Sequence, residues 1–357
     1  MFADFLAARS AATLEVAPGI TTPRHFGDAH REHLATRRAA GLFDFSFMCC
    51  TEITGAAGAA FLDSLQTRRL DWLQTGRIAY TLVLRDDGSV LNDATVWRLA
   101  ADRYWLMIGR RSDFGHIERH AKDFDVTVSD ASQQYAVIAI QGDASWPIIG
   151  RCFAGQPCAA LPYYGFQQLD FAGTDCWLAR IGYSGETGYE LVIADSRAPA
   201  LWLALLTAGI DAGLAECGFD AIDSLRIEAG HILFTRELAA PVTPVELGLA
   251  RFVDLYRAPF RGAQALRRRQ APRQLAGLLP AADTAADACW PVHIASGSAI
   301  VTSSCWSPLY ERCLGLGFVN AEDAYPGTAV RLHSGMRAQV ARLPFYDPAR
   351  LLPRRTH

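Results

Sequence analysis

Residues 179–193 read ARIGYSGETGYELVI. Gly182, Gly185 and Gly188 recur at every third position among Tyr183, Glu186, Tyr189 and Glu190. Glycines this dense let backbone approach a ligand closely, and the tyrosines offer a flat stacking surface. A carboxylate beside such a surface can accept two N–H bonds from a guanidine-like edge. A glycine-rich hairpin whose aromatics fill the core accounts for the same residues.

Outward from this stretch, the pattern alternates between helix and strand. FQQLDFAG (166–173) and DCWLARIGY (175–183) read as a hairpin, with VTVSD, YAVIAIQG and YELVIA as further strands. DASWPIIGRCF (143–153) and APALWLALLTAGI (198–210) read as helices. The first third repeats this order. Helices are expected over 25–43, ending at Gly41, over 57–66, and over 112–124 with Ser112 as N-cap. Between them, IAYTLVL (78–84), ATVWRL (94–99) and RYWLMIG (103–109) form an antiparallel meander. Two related α+β domains follow from this repetition. After a basic, polar connector, FRGAQALRRRQAPRQLAG, the tail reads as a small all-β domain running to PFYDPAR (344–350).

A chain of 357 residues exceeds one small core, which again implies two or three domains. Its formal net charge of -3 gives no broad positive field, so nucleic acid is excluded as the main partner. Lys122 is the single lysine, which argues against Schiff-base and P-loop chemistry. Nine cysteines without a CxxC pair read as free buried thiols and a cytoplasmic location. The N-terminus, with Asp4 early and no basic start, does not read as a signal peptide. No apolar run reaches the roughly 20 residues that span a bilayer, so no membrane partner is expected.

Several fragments have bland explanations. His116 and His120 share a helix face, but Ile117 stands where a zinc protease needs glutamate. Asp113-Phe114-Gly115 lacks the glycine-rich loop and lysine of a kinase. His30 and His33 are assigned to a solvated helix face. Two further stretches carry chemistry. In GRIAYTLVLRDDGSVLNDATVWRL (76–99), Asp93 is expected at a sheet edge among Val, Trp and Leu, where a carboxylate is costly unless it meets a donor; a turn or capping aspartate is the plainer alternative. In CGFDAIDSLRIEAGHILFTRELAAPVTPVELGLARFV (217–253), Asp220 or Asp223 starts a helix with Ile222, Leu225, Ile227 and Ile232 on its apolar face. Arg226 and Glu228, two apart, need separate partners, with Arg226 suited to a buried ion-pair scaffold.

Taken together, the three stretches resemble the aminomethyltransferase family, typified by the T-protein of the glycine cleavage system. They are similar to its Tyr…Gly-Gly-x-x-Asp-Asp strand, its Arg-x-Gly-Tyr-Thr-Gly-Glu-x-Gly-Phe-Glu segment and its Leu-Arg-x-Glu-Ala-Gly…Thr-Pro-x-Glu-x-Gly-Leu stretch. RRAAGLFDFSFM (37–48), AIQGDA (139–144), AIVTSSCWSP (299–308) and PFY (344–346) extend the likeness over nearly the whole chain.

The resemblance implies an α+β, three-domain clover-leaf ring with tetrahydrofolate threading its centre. Residues 1–48 with 135–265 would form one antiparallel-sheet domain, 49–134 a second, and 272–357 a C-terminal all-β, barrel-like domain. It implies Asp93 beside the reactive folate nitrogens, Glu190 on the pterin ring, Tyr80 and Tyr183 lining the slot, and Met48 as an apolar wall. The family's reaction transfers an aminomethyl group from a lipoyl arm to the folate, which makes a lipoyl carrier protein or a small-molecule one-carbon donor the expected partner.

Departures from the family pattern cluster around the reacting end and the tail. Asn92 replaces the first Asp of Asp-Asp, Phe47 the His of Ser-His-Met, Gly109 an Asn, Ile222 an Arg and Arg251 a Trp. This pattern points toward folate-dependent O-, N- or S-demethylases as the alternative activity. A non-catalytic folate-binding protein like the iron–sulfur-assembly branch is disfavoured, because HILFTRELAAPVTPVE lacks that branch's cysteine.

Overall fold

The computed structural model describes residues 1–156, 161–281, 289–292 and 299–355. Cys158 lies outside the described residues. Three larger sheets organise the chain, with a two-stranded ribbon of Ala12–Ala17 and Ile20–His25 beside them.

The first sheet has six strands in the order Phe166–Asp170, Asp175–Ala179, Gly188–Ala194, Tyr135–Gln141, Ala40–Asp44, Leu214–Glu216. All its pairings are antiparallel except the last, where Leu214–Glu216 runs parallel to Ala40–Leu42. The second sheet orders Ile78–Leu84, Val90–Arg98, Arg103–Ile108, Cys49–Thr54 and Thr127–Asp130, all antiparallel. These two sheets meet through aromatic side chains, Trp105 of the second lying 4.8 Å from Trp177 of the first, edge to face. Burying such large rings is the strongest apolar contribution available to the contact.

The third sheet orders Ile300–Ser307, Arg312–Asn320, Arg273–Pro280, Arg337–Ala341 and Ala329–Arg331. A backbone bond of 2.7 Å from His333 to the carbonyl of Ala299 draws its two edges together. The sheet therefore curls toward a barrel.

Local details differ from the sequence-based expectations. The helix expected over 25–43 is Ala29–Arg38, capped by the Asp28 side chain, and Gly41 lies in the strand Ala40–Asp44. There Gly41 faces Thr36, Phe43 and Cys217 so closely that no Cβ would fit, which explains a glycine in mid-strand rather than at a helix end. The helix expected from Ser112 is Phe114–Ala121, entered through a 3-10 turn with no side-chain cap. Gly218, not an aspartate, precedes Phe219–Glu228, and Ile232 lies beyond that helix. The basic connector ends where Arg273 opens a strand. Cys289 and Cys313 form a disulfide, against the expectation of free thiols, whereas Cys49, Cys50, Cys176, Cys217 and Cys305 are free.

His33 corrects another expectation. It is fully buried, with Nδ1 2.7 Å from the Ser224 hydroxyl and Nε2 3.2 Å from Glu228. The buried face of its helix is polar, with Glu32, His33 and Thr36 packed against the Phe219–Glu228 segment and its surroundings, so hydropathy misplaced it. On that partner helix Arg226 and Glu228 do take separate partners. Arg226 meets Asp223, Glu237 and Ser303, while Glu228 meets Arg37, His33 and Ser307. Both sets reach into the third sheet through its serines, so this one helix ties the C-terminal unit to the others.

Candidate active site

Where the three sheets meet there is a cavity of about 1130 Å³. Met48, Tyr80, Asp93, Tyr183 and Glu190 all line it.

Asp93 lies inside Val90–Arg98, a strand flanked on both sides, rather than at the expected sheet edge. Its cross-strand partner is Leu82, and Tyr80 pairs with Thr95 two residues on, so Tyr80 and Asp93 are diagonal neighbours on one face. The Tyr80 hydroxyl donates to the Asp93 carboxylate at 3.1 Å. Burial raises the Asp93 pKa to about 6, and the bond from Tyr80 restrains the rise. The same burial, with the Asp93 charge, pushes the Tyr80 phenol well above its usual range, so it stays a donor.

Glu190 sits in Gly188–Ala194 with Ala179 and Ala139 as its cross-strand partners. These small neighbours leave its carboxylate uncovered toward the cavity. It is 6 % exposed, and among the described residues nothing donates a hydrogen bond to it. Burial alone raises its pKa to about 8. A buried, unpartnered acid is costly in any fold, and its position on a cavity wall marks a ligand contact.

The glycine run has two uses. Gly185, at φ 84°, makes a turn that other residues rarely adopt. Gly182 and Gly188 both abut the Gln141 side chain, where a Cβ would lie 2.1 and 2.4 Å from it. Tyr183 between them donates its hydroxyl to the Ile232 carbonyl and stacks on His231 at 5.6 Å. Burial, then the charges of Arg350, Arg226 and other arginines, lowers the His231 pKa to about 3, so this imidazole is neutral in the physiological range. Met48 is half-buried and packs against the aromatic cluster between the first two sheets.

Tyr163, Tyr164, Arg68, His231 and Arg350 also line the cavity, and sequence reasoning missed them. Tyr164 holds φ 61°, fixed by bonds from Ile78 N–H to its carbonyl (2.8 Å) and from its own N–H to the Arg180 carbonyl (3.0 Å). Strained backbone clamped from both sides, and placed on a cavity wall, is a common mark of ligand sites. The Tyr163-Tyr164 pair after Pro162 was the one signal that could have drawn attention to it.

Among the family departures, Phe47, Gly109 and Arg251 line the cavity. Asn92 is fully buried, bonded to Asp113 at 2.7 Å and to the Gly109 N–H at 3.2 Å. Ile222 belongs to the apolar core. His116 and His120, by contrast, sit apart from this site, with His120 2.8 Å from the Ser64 hydroxyl. Among the described residues no cluster of three or more metal-binding side chains occurs, and no helix is long and apolar enough to cross a membrane.

Three sheets closing on a cavity with one buried acid, Glu190, and one half-buried acid, Asp93, define a small-molecule enzyme site assembled from distant parts of one chain. Residues 2–257 match the family profile described as the GCVT N-terminal domain, and 273–347 the glycine cleavage T-protein C-terminal barrel domain. Curated relatives named aminomethyltransferase include that of Streptomyces avermitilis, 36% identical with 94% of each chain covered. That of Halalkalibacterium halodurans is 32% identical, with 92% of each chain covered. The crystal structure of glycine cleavage system aminomethyltransferase T from Bartonella henselae superimposes with a TM-score of 0.84 at 26% identity, covering 97% of both chains. The chain belongs to the glycine cleavage T-protein (aminomethyltransferase) family, whose members are transferases of one-carbon groups.

Proposed function

We propose that this protein holds tetrahydrofolate in the three-sheet cavity and transfers to it a one-carbon unit from an aminomethyl donor. The unpartnered Glu190 carboxylate carries this reading. A pterin edge offers two N–H donors, which would satisfy both oxygens and draw the group back to its ionised form. Tyr183 and Tyr80 give the slot flat walls, and Met48 an adaptable one.

Bound there, tetrahydrofolate supplies the nucleophilic nitrogens that take up the carbon. Asp93 stands in the same cavity with a pKa near 6, ionised at neutral pH, and Tyr80 orients it. Its charge steadies the cation that develops as ammonia and then the carrier's thiol leave the aminomethyl carbon. The apolar walls around it, Phe47, Met107, Ile108 and Phe234, exclude water from that step. The donor is carried on the lipoyl arm of a carrier protein, and the reaction is cytoplasmic. Residues 1–48 with 135–265, 49–134 and 272–357 act as three domains around the ligand.

A second reading, demethylation of a methyl donor, is favoured by one feature. Asn92 is consumed by Asp113 and the Gly109 N–H, and Phe234 fills the space beside Gly109, so this wall has little polarity for an amine. Incubation with tetrahydrofolate and either an aminomethyl-lipoyl carrier or methyl donors separates the two. Methylene-tetrahydrofolate is the expected product. Methyl-tetrahydrofolate would establish the second reading, and folate binding without any product would leave a non-catalytic binder.

A further inference from the structure

Among the described residues, half-buried Arg68 and exposed Arg251, two of the arginines that line the cavity, have no carboxylate to pair with. Arg68 and Arg251 both lie against the Phe252 ring, at 5.6 and 4.6 Å from its centroid. Arg68 is also held over Trp72 at 4.9 Å, and Arg68 Nη1 donates to the Tyr80 carbonyl at 3.2 Å. All of these groups except Trp72 line the cavity. Among the described residues no Asp or Glu bridges to either arginine, whereas Arg37, Arg226, Arg257 and Arg273 each have one; Arg180, also buried, bonds the backbone carbonyls of Leu161 and Pro353 instead.

The electrostatics show the imbalance. Burial lowers the proton affinity of Arg68, and only the Tyr164 phenol, not a carboxylate, offsets it. Arg350, another cavity arginine, is lowered by burial and then by the Arg251 charge, with Tyr163 and Asp347 offsetting part of this, so Arg251 and Arg350 act on one another in the cavity. Like charges gathered in a half-enclosed space are unfavourable, and stacking on an aromatic face recovers part of that cost. An anion between them would recover more, and a planar guanidinium fork fits a carboxylate best.

We propose that Arg68 and Arg251, stacked on Phe252, form a carboxylate-binding subsite in the cavity wall. This rests on the folate reading above and deepens it by giving the ligand set a fixed acid group near Tyr80. The carboxylate comes either from the tail of the folate or, under the demethylation reading, from a small-molecule methyl donor. Arg68 reaches the backbone of Tyr80, whose hydroxyl is on Asp93, so a group bound here lies along the same wall as the reacting end.

Calorimetry on the full chain separates these sources. Tetrahydrofolate is compared with 6-methyltetrahydropterin, which has the ring and no tail, in the wild type and in Arg68→Met, Arg68→Lys and Arg251→Met. Methionine keeps the apolar stem on the rings, and the lysine variant keeps the charge without the fork. If the tail supplies the carboxylate, each methionine variant loses about ten-fold in tetrahydrofolate affinity and nothing for the tail-less pterin, with lysine intermediate. If the donor supplies it, both pterins bind unchanged. N-methylglycine, a carboxylate-bearing one-carbon compound, then binds the pterin-saturated wild type about ten-fold more tightly than the methionine variants. Folded variants that match the wild type for both pterins and for N-methylglycine overturn the subsite. A wild type that binds neither pterin overturns the folate reading itself, and this inference with it.

Discussion

The Tyr80 hydroxyl and the Asp93 carboxylate, diagonal neighbours on adjacent strands, are joined by a 3.1 Å hydrogen bond inside the cavity. Burial holds Asp93 near pKa 6 and Tyr80 keeps it from rising further. One-carbon transfer that uses the ionised carboxylate is therefore lost as pH falls through about 6. Tyr80→Phe removes the donor, so the acidic limb of the pH–rate profile should move to higher pH, by about one unit for a lost charge-assisted bond. Asp93→Ala should abolish turnover with the fold intact. An acidic limb at the same pH in Tyr80→Phe, or near-normal turnover in Asp93→Ala, removes the pair from the mechanism.

Glu190 sets ligand affinity against stability. Its pKa is about 8 in the folded chain against 4.5 for the free side chain. Between those values the folded protein holds a proton that the unfolded chain releases, so stability falls as pH rises through this window. Glu190→Gln removes the titration. The variant should gain stability over the wild type by about 1–4 kcal/mol at pH 8 and lose that advantage toward pH 4. Its affinity for tetrahydrofolate should drop by on the order of 1–3 kcal/mol. Parallel melting curves at both pH values, with calorimetric titration, decide the matter; a stability difference that does not change with pH excludes the buried acid as its source.

The parts of this molecule that were legible from sequence share a property: each depends on residues close along the chain. Strand meanders, the glycine run and the motif that places Tyr183 seven residues before Glu190 were readable because alternation and spacing are local. So was the need of Arg226 and Glu228 for different partners. What escaped was set by contacts between distant segments. His33 is polar, on a helix rich in polar residues, and nothing in that pattern shows that Ser224 and Glu228 bury it. Asp93 looked like an edge residue because the readable alternation begins only at Ala94, whereas the strand starts at Val90 and takes Asp93 into its interior. Arg68 and Tyr164 lie in irregular segments without periodicity, and become cavity residues through Phe252, Ile78 and Arg180.

The buried cluster around Arg37 gives a stability prediction. Its guanidinium bonds Glu186 and Glu228 at 2.9 and 2.8 Å and lies 3.8 Å over the Tyr346 ring. Burial would raise Glu228, but His33, Arg37 and Ser307 hold it below its usual range. Arg37→Met leaves two buried acids short of a partner, and the loss should be about 3–5 kcal/mol. Because Tyr346 is a cavity wall, tetrahydrofolate affinity should fall with it. Urea unfolding that moves by less than about 1 kcal/mol would mean that His33 and Ser307 suffice for Glu228.

Gly109 and Phe234 form the last testable pair. A Cβ on Gly109 would lie 2.2 Å from the Phe234 ring, deep inside van der Waals contact. Phe234 is buried among apolar neighbours, and its carbonyl is tied to Arg110 at 2.7 Å, so the ring cannot withdraw without moving that segment. Gly109→Ala should therefore cost about 1–3 kcal/mol of stability through overpacking. Phe234→Leu alone should cost a similar amount by leaving a void. Combined, the smaller side chain makes room for the added methyl, so the double variant should be more stable than the sum of the single losses by about 1 kcal/mol or more. Such a coupling means that the two residues occupy one volume, and that the polar side chain the family carries at position 109 is displaced here by an aromatic ring. Additive losses in the double-mutant cycle would show instead that the two positions relax independently, and the apolar character of the wall beside Asp93 would then need a different cause.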